Sequence, residues 1–215
     1  MTWCDVRDAL ARGRDRVVVP FGACEQHGAH LPLETDTLLG DGLGPLLAER
    51  IDALCAPTVP IGCSEEHMSR AGTLSLQPET LALIVYDLVS SLARHGFRTV
   101  VLLPTHAGNA GPLAHAARSL KPPVGVRIAA VADMRALAAA LDRADMGAAP
   151  ADGIAHAGEI ETSLLRTLAP PVVRARGPEP LEAQTAAGRV YLAAYLAECV
   201  KQLEAQGVTP SCASA

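Results

Sequence analysis

The stretch VVVPFGACEQHGAHLPLETD, residues 17–36, contains both the clearest strand pattern of this sequence and its densest group of polar side chains. A short β-branched apolar run leads to Gly22, which predicts a buried strand that ends there. Carboxylates and histidines follow in close succession, and such side chains are typical ligands of zinc, manganese, iron and cobalt. The stretch therefore predicts a metal site just beyond the end of a strand.

The first candidates for metal ligands in this stretch are Glu25, His27 and Asp36. Glu25 and His27 are two positions apart, so in an extended segment they project to the same side. Asp36 follows a loop long enough to fold back over them, and a carboxylate can bridge two ions. His30 is a weaker candidate, expected to orient a ligand rather than to bind the metal. Alone, each residue would more often be a cap or a structural histidine; their grouping favours the metal site.

The rest of the chain alternates short apolar runs with longer helical patterns. RTVVLLP (98–104) and VRIAAVAD (126–133) predict buried strands, and LCAPTVPIG (54–62), with its prolines, predicts an edge or irregular strand. PETLALIVYDLVSSLARHG (78–96) predicts a helix that begins at its proline and ends before its glycine. Strands separated by helices predict an α/β fold with a mainly parallel sheet covered on both faces. No repeat or linker interrupts the pattern, so residues 1–215 are expected to form a single domain.

Two further loops carry candidate residues. His106 follows the strand RTVVLLP in the loop THAGNAG, where small residues beside Asn109 allow backbone and substrate to approach closely. His156, Glu159 and Glu161 lie in GIAHAGEIETSLL, around a predicted helix start, where acidic residues are also ordinary partners of the helix dipole. In open parallel sheets, ligands bind beyond the carboxyl ends of the strands. If the first strand and RTVVLLP are neighbours, His106 converges with the ligands of the first loop.

A fourth segment, GCSEEHMSRAGTLSL (62–76), follows the predicted edge strand. We interpret its polar residues as part of the wall of a substrate pocket, with a plain surface loop as the alternative. Together with Asn109, the predicted pocket residues are Glu66, His67 and Thr73.

Composition excludes several classes of function. The net charge of −5 and the 3% of aromatic residues disfavour binding to nucleic acid or to an anionic membrane. The six cysteines include no CxxC pair, and no hydrophobic signal precedes them, which is typical of a cytoplasmic protein with reduced thiols. The sequence has no P-loop, no GxSxG motif and no GxGxxG motif after a strand.

Four segments resemble, in family order, the motifs of the creatininase (creatinine amidohydrolase) family: PFGACEQHGAHLPLETD, GCSEEHMSRAGTLSL, LPTHAGNAG and HAGEIETSLL. The resemblance implies a three-layer αβα architecture around a mostly parallel sheet and a homo-oligomer such as a hexamer. It also implies hydrolysis of C–N amide bonds at a centre of two divalent metal ions. Zinc is expected first, with manganese or iron as alternatives.

Carried over residue by residue, the resemblance implies that Glu25 and His106 bind one ion and His27 binds the other. Asp36 would bridge the two ions, and His156 matches the catalytic histidine of the family. These assignments rest on the matched motifs.

One position departs from creatininase itself. That enzyme has a carboxylate two residues after the histidine of the second loop, where this chain has Gly108, and a neighbouring aromatic residue where it has Ala107. A second branch of the family shares this loop and carries a glutamate in the third motif. The resemblance therefore implies that Glu159 supplies the missing ligand and takes part in catalysis, with Glu161 capping the helix or orienting His156.

The second branch includes the peptidase that trims the mycofactocin precursor and formamide hydrolases of flavin-type cofactor biosynthesis. We accordingly expect a metal-dependent amidohydrolase that cleaves a small amide, cyclic amide or formamide through a metal-activated water. One alternative is a peptidase that trims a modified precursor peptide. An alternative of another class is a metal- or ligand-binding subunit without catalytic activity. The expected partners are a small amide or short peptide and further copies of the chain, with neither nucleic acid nor membrane.

Overall fold

Four parallel strands form the sheet in the described part of the chain. The structure is a computed structural model and describes residues 1–144, 156–173 and 185–209. The strands, in the spatial order β2-β1-β3-β4, are β1 (Arg16–Phe21), β2 (Leu54–Cys55), β3 (Thr99–Pro104) and β4 (Arg127–Ala130). Both central strands are buried beyond their first residue, as strands covered on both faces must be. The predicted α/β fold with a parallel sheet is confirmed.

The described helices lie before, between and after these strands. They are α1 (Trp3–Ala11), α2 (Thr35–Arg50), α3 (Pro78–His95), α4 (Ala110–Ser119), α5 (Met134–Ala144), α6 (Glu159–Leu168) and α7 (Thr185–Glu204). Within the described ranges, no helix combines the length and apolar character that crossing a membrane requires.

Alternate residues of each strand face opposite layers of helices. Val18 and Val101 belong to a core shared with α2, α5, α6 and α7. Val17 and Val100 belong to a second core shared with α1, α3 and α4. Because successive side chains of a strand point to opposite faces, one apolar run supplies both cores. The three-layer αβα architecture is confirmed.

The pairing of β1 with β3 fixes the position of the site. The two strands are parallel and run in register from Arg16 opposite Thr99 to Phe21 opposite Pro104. The loops that follow them therefore leave the sheet at the same edge and at the same level. The expected convergence of the first two ligand-bearing loops is confirmed.

Two elements differ in length from the sequence-based expectation. The edge strand β2 contains only two residues, followed by an isolated bridge from Val59 to Phe21. Prolines at positions 57 and 60 lack the N–H groups that a longer ladder needs. The stretch LLGDGLGPLLAERI (38–51) predicts a helix that starts at Leu38, whereas α2 starts three residues earlier, at Thr35. Gly44 lets α2 lie against β1, because an added Cβ there would be 2.6 Å from Pro20.

Candidate metal centre

A group of carboxylates and histidines converges beyond the carboxyl ends of β1 and β3. We call it the ligand cluster, and it comprises Glu25, His27, Asp36, His67, His106, His156 and Glu161. Within it, three overlapping sets each bring three possible ligand atoms within 4.8 Å of one another. The cluster unites the three loops predicted to carry ligands with the segment predicted as pocket wall.

The chain holds the first two carboxylates of the cluster in place through the backbone. The N–H of Glu25 donates to the carbonyl of Leu33 at 2.9 Å, which folds the long loop back on itself. Asp36 lies in the first turn of α2, and its own carbonyl accepts a hydrogen bond from the Thr105 hydroxyl at 2.7 Å. Because Thr105 directly follows β3, this bond ties the start of α2 to the sheet edge.

His106 and His27 each present one ring nitrogen to the carboxylates. His106 donates from Nε2 to the Cys63 carbonyl at 2.8 Å, which leaves Nδ1 at 3.4 Å from Glu25 Oε1 and 3.5 Å from Asp36 Oδ2. His27 donates from Nδ1 to the Glu25 carbonyl at 3.2 Å, so its Nε2 lies 3.5 Å from Asp36 Oδ1. Metal-binding histidines are commonly oriented by such bonds from the other nitrogen. The two oxygens of Asp36 thus point to two different histidines, as a bridging carboxylate would.

His67 and His156 stack on each other at the open side of the cluster, with ring centroids 4.2 Å apart. His156 donates from Nε2 to the Gln26 carbonyl, and its Nδ1 lies 3.5 Å from Glu25 Oε1. The Gln26 side chain accepts from the Gly28 N–H and donates its own amide to His67 Nδ1 at 3.1 Å. His67 therefore carries its proton on Nε2, 3.5 Å from Glu25 Oε1.

Buried polar atoms that make no hydrogen bond indicate that the cluster suits cations. Both carboxylate oxygens of Glu25, His27 Nε2 and Asp36 Oδ2 are buried without a hydrogen bond to any described residue. Burial raises the pKa of Glu25, and it raises the pKa of Glu161 to about 7. Burial opposes a charge on His27, yet Asp36 and Glu161 outweigh it and raise the pKa of His27 to about 9. Buried charges of this kind are normally paired or coordinate metals, so the residues present fit divalent ions.

The structure places the two glutamates of α6 differently from the sequence-based expectation. Glu159 accepts hydrogen bonds from Ser163 and from Tyr191 of α7, both at 2.8 Å, so its carboxylate is held away from the cluster. Glu161 lies 3.8 Å from His27 Nε2 and accepts the Ala157 N–H at 2.6 Å. Two positions on a helix are separated by about 200°, so only one of them can face the cluster. Glu161 therefore faces the cluster, whereas Glu159, the residue expected there from the sequence, points to Tyr191 of α7.

Gly108 leaves the space beside His106 open. A Cβ at this position would collide with His106 Nε2 and with the Cys63 carbonyl oxygen. A carboxylate at 108 would therefore require the second loop to adopt another conformation. This steric limit is consistent with the expectation that another loop supplies the carboxylate that creatininase has at this position.

The predicted pocket residues divide into two groups. Glu66 and His67 line a cavity of about 470 Å³ beside the cluster, which agrees with their expected place. Thr73 and Asn109 do not line this cavity. Both are buried, and the Thr73 hydroxyl accepts the Gln26 N–H at 3.3 Å. His30, which was expected to orient a ligand, contacts the Thr162 hydroxyl at 3.0 Å, next to Glu161.

Asn109 is a structural link between three loops, which corrects its assignment to the substrate pocket. Its Oδ1 accepts the Cys63 N–H at 2.9 Å, and its Nδ2 donates to the carbonyls of Phe21 and Gly22 at 3.2 and 2.9 Å. Both polar groups of the side chain are thus engaged with the backbone, away from the cavity.

Replacement of Asn109 by alanine is expected to lower the free energy of unfolding by about 1–3 kcal/mol, because it leaves buried backbone groups unsatisfied. Chemical denaturation monitored by circular dichroism measures this loss. A change below about 0.5 kcal/mol, typical of a surface substitution, would contradict the structural role.

His67 belongs to the ligand cluster, although the sequence predicted it only as part of the pocket wall. Its segment lies between β2 and α3 and reaches the cluster through Gln26. The only signal in the sequence was a histidine among polar residues, which does not distinguish a wall residue from one beside the ligands.

Comparisons with known proteins identify relatives of the chain. A family model described as creatinine amidohydrolase matches residues 1–215. The mycofactocin precursor peptide peptidase of Mycobacterium ulcerans is 33% identical over 201 residues, which cover 89% of this chain and 70% of that protein. The creatinine amidohydrolase of Pseudomonas putida is 37% identical over 114 residues, 51% of this chain and 44% of that protein. The chain thus spans less than half of the second relative.

Solved structures show the same fold. A crystal structure of creatinine amidohydrolase is 25% identical, with a TM-score of 0.76 over 98% of this chain and 97% of that chain. Creatininase structures described as manganese and zinc forms have the same TM-score at 23% and 24% identity, over 96% of each chain. The matches indicate a hydrolase that acts on C–N bonds. The chain belongs to the creatininase family.

Proposed function

We propose that the chain is a metal-dependent amidohydrolase that cleaves a small amide, cyclic amide or formamide, with the ligand cluster as its active site. The observation that carries the proposal is the set of buried atoms of Glu25, His27 and Asp36 that make no hydrogen bond, beside a cavity of about 470 Å³. Such a cavity is of the size that small-molecule sites have. We expect the chain to act in the cytoplasm as a homo-oligomer.

Two divalent ions are proposed to occupy the cluster, zinc first, with manganese or iron as alternatives. Glu25 and His106 would hold one ion, His27 and Glu161 the other, and Asp36 would bridge them. Asp36 Oδ1 points toward His27 and Oδ2 toward His106, which supports this assignment of the ligands to two ions. When bound, such ions lower the pKa of water and polarise a substrate carbonyl.

His156 and His67, at the open side of the cluster, are proposed to transfer a proton and to donate a hydrogen bond to the substrate. His156 carries its proton on Nε2, which donates to the Gln26 carbonyl, so Nδ1 is available to accept another proton. Burial lowers the pKa of His156, which favours this neutral, accepting form. The accepted proton can then pass to the leaving nitrogen, which departs readily only when protonated. His67, with its proton on Nε2, can donate a hydrogen bond to the substrate from the same side.

A second candidate is a peptidase that trims a modified precursor peptide. The observation in its favour is the 33% identity to the mycofactocin precursor peptide peptidase over 89% of this chain. The same cluster would serve, because a peptide bond is itself an amide.

The test is hydrolysis by metal-depleted protein before and after addition of zinc, manganese or iron(II). The panel contains lactams, formamides, short peptides and creatinine. We expect turnover only after metal addition, with creatinine a poor substrate, because Ala107 and Gly108 offer little to hold its ring in a reactive pose. Full turnover without metal, or none with any metal, would contradict the proposal.

His156→Ala should retain its metal while kcat falls about 10²- to 10⁴-fold, because the variant loses the group that transfers the proton.

A further inference from the structure

The cavity beside the ligand cluster is a cleft that opens to solvent, and it contains a permanent positive charge. Among the described residues that line it, Asp36, Glu66 and Glu161 are acidic, and Arg135 is the only lysine or arginine. Arg135 is exposed, so its side chain is accessible from the open side. Because an arginine is not deprotonated in proteins, this charge is present whatever the protonation state of the histidines.

The sheet brings Arg135 to the same edge as the ligand cluster. Strand β4 is parallel to β3 and in register with it, from Arg127 opposite Thr99 to Ala130 opposite Leu102. Helix α5, which carries Arg135 in its first turn, begins shortly after β4 ends. This turn therefore lies beyond the carboxyl ends of the strands, where the ligands of open parallel sheets bind.

Hydrogen bonds to α7 hold the start of α5 in place. Gln202 Oε1 accepts the N–H groups of Ala132 and Asp133 at 3.1 and 3.0 Å, and Gln202 Nε2 donates to the Asp133 carbonyl at 3.0 Å. Asp133 Oδ1 in turn accepts the Ala136 N–H at 2.9 Å, which caps the helix. The fold itself thus fixes the backbone that carries Arg135.

No described residue neutralises this arginine. Its guanidinium makes no hydrogen bond or ion pair with any residue in the described ranges. Glu66, the exposed acid of the cleft, has its Oε1 at 3.8 Å from His106 Nε2 instead. A cation in the first turn of a helix is also disfavoured by the helix dipole, so helix stability does not account for Arg135. The unpaired guanidinium therefore suits an anionic group that enters the cleft.

We propose that the substrate carries a free carboxylate in addition to the scissile amide, and that Arg135 binds this carboxylate. The inference rests on the proposed hydrolase function and specifies its substrate class. A planar guanidinium binds a carboxylate through two parallel hydrogen bonds. Arg135 and the ligand cluster line one cavity of about 470 Å³, so one small molecule can contact both. The carboxylate belongs either to a small amide acid or to the C-terminus of a short peptide.

Four pairs of amides that differ only by a carboxylate test the proposal. They are succinamate and propanamide, 5-oxoproline and 2-pyrrolidone, N-formylglycine and N-methylformamide, and alanylalanine and N-ethylalaninamide. With the metal-loaded enzyme, kcat/KM of the acid should exceed that of its neutral partner roughly tenfold or more, the scale of a hydrogen bond to a charged group. The pair with the highest turnover distinguishes a small amide acid from a peptide terminus. Equal kcat/KM within every cleaved pair would overturn the proposal.

Matched variants of α5 locate the effect. Arg135→Gln should reduce the ratio of the two kcat/KM values roughly tenfold or more, because only the acid loses a partner. Arg135→Lys should retain part of the ratio, since it keeps the charge but not the paired hydrogen bonds. Arg143→Gln, at an exposed arginine of the same helix that does not line the cavity, should keep the wild-type ratio. An undiminished preference for the acid in Arg135→Gln would show that another group binds the carboxylate.

Binding of succinate and propanoate, which have no scissile bond, separates the carboxylate site from catalysis. In calorimetry with the metal-loaded protein, the second carboxylate of succinate should strengthen binding roughly tenfold in the wild type and in Arg143→Gln, but not in Arg135→Gln. If this pattern appears and no amide is cleaved, the carboxylate site is supported and the hydrolase function fails. If amides are cleaved without regard to the carboxylate and Arg135→Gln binds succinate like the wild type, the function stands and the carboxylate proposal fails.

Discussion

Asp36→Ala is expected to release both metal ions and to reduce amide hydrolysis to the level of the metal-free protein. Asp36 Oδ1 and Oδ2 each lie 3.5 Å from a different histidine, His27 and His106, so the side chain contributes to both proposed ion positions. Loss of one ligand from a single site would spare the other ion. Loss of the shared carboxylate spares neither, which makes this the largest effect of any single substitution proposed here.

Elemental analysis after dialysis and turnover of the best substrate together measure the effect of Asp36→Ala. Addition of zinc should raise the Tm of the wild-type protein but not that of the variant, because only a bound ion stabilises the folded state. Asp87→Ala, an exposed carboxylate of α3, is the matched control and should keep metal and activity. Two tightly held ions in Asp36→Ala would exclude the bridging role.

Glu161→Gln is expected to lower occupancy to about one ion per chain and to reduce kcat by 10² or more, the scale of losing one catalytic group. Glu161 lies 3.8 Å from His27 Nε2 and borders the cavity, so the amide would remove a negative charge from the second proposed ion position. Because the amide has nearly the same shape, the variant should fold normally.

Glu159→Gln is the matched control for Glu161→Gln. Its side chain is engaged with Ser163 and Tyr191, so the amide should leave both ions and turnover in place. The expected cost is limited to about 0.5–1.5 kcal/mol of stability from an altered hydrogen bond. Loss of an ion in Glu159→Gln alone would reinstate the assignment made from sequence. Two ions in both variants would require a ligand other than either glutamate.

The sequence was sufficient for the sheet and for the first ligands because both depend on neighbours in the chain. A short β-branched run followed directly by Glu25 and His27 places these side chains at a strand end whatever the rest of the fold does. Alternation of strands and helices predicts parallel pairing, and parallel pairing brings His106 to the same edge.

Residues whose role depends on packing between distant segments could not be assigned in this way. Asn109 appeared in a glycine-rich loop and suited a substrate contact. Its oxygen and its amide nitrogen both bond to the backbone where three loops meet. That meeting is set by the register of β1 and β3 together with the loop after β2.

The choice between Glu159 and Glu161 shows this limit most clearly. The sequence itself determined that a helix starts there with two glutamates and that they must point in different directions. Which of them faces the ligand cluster depends on how α6 is rotated about its own axis. Packing of α6 against α7, with Tyr191 hydrogen-bonded to Glu159, sets that rotation, and a turn of about 200° would exchange the two carboxylates.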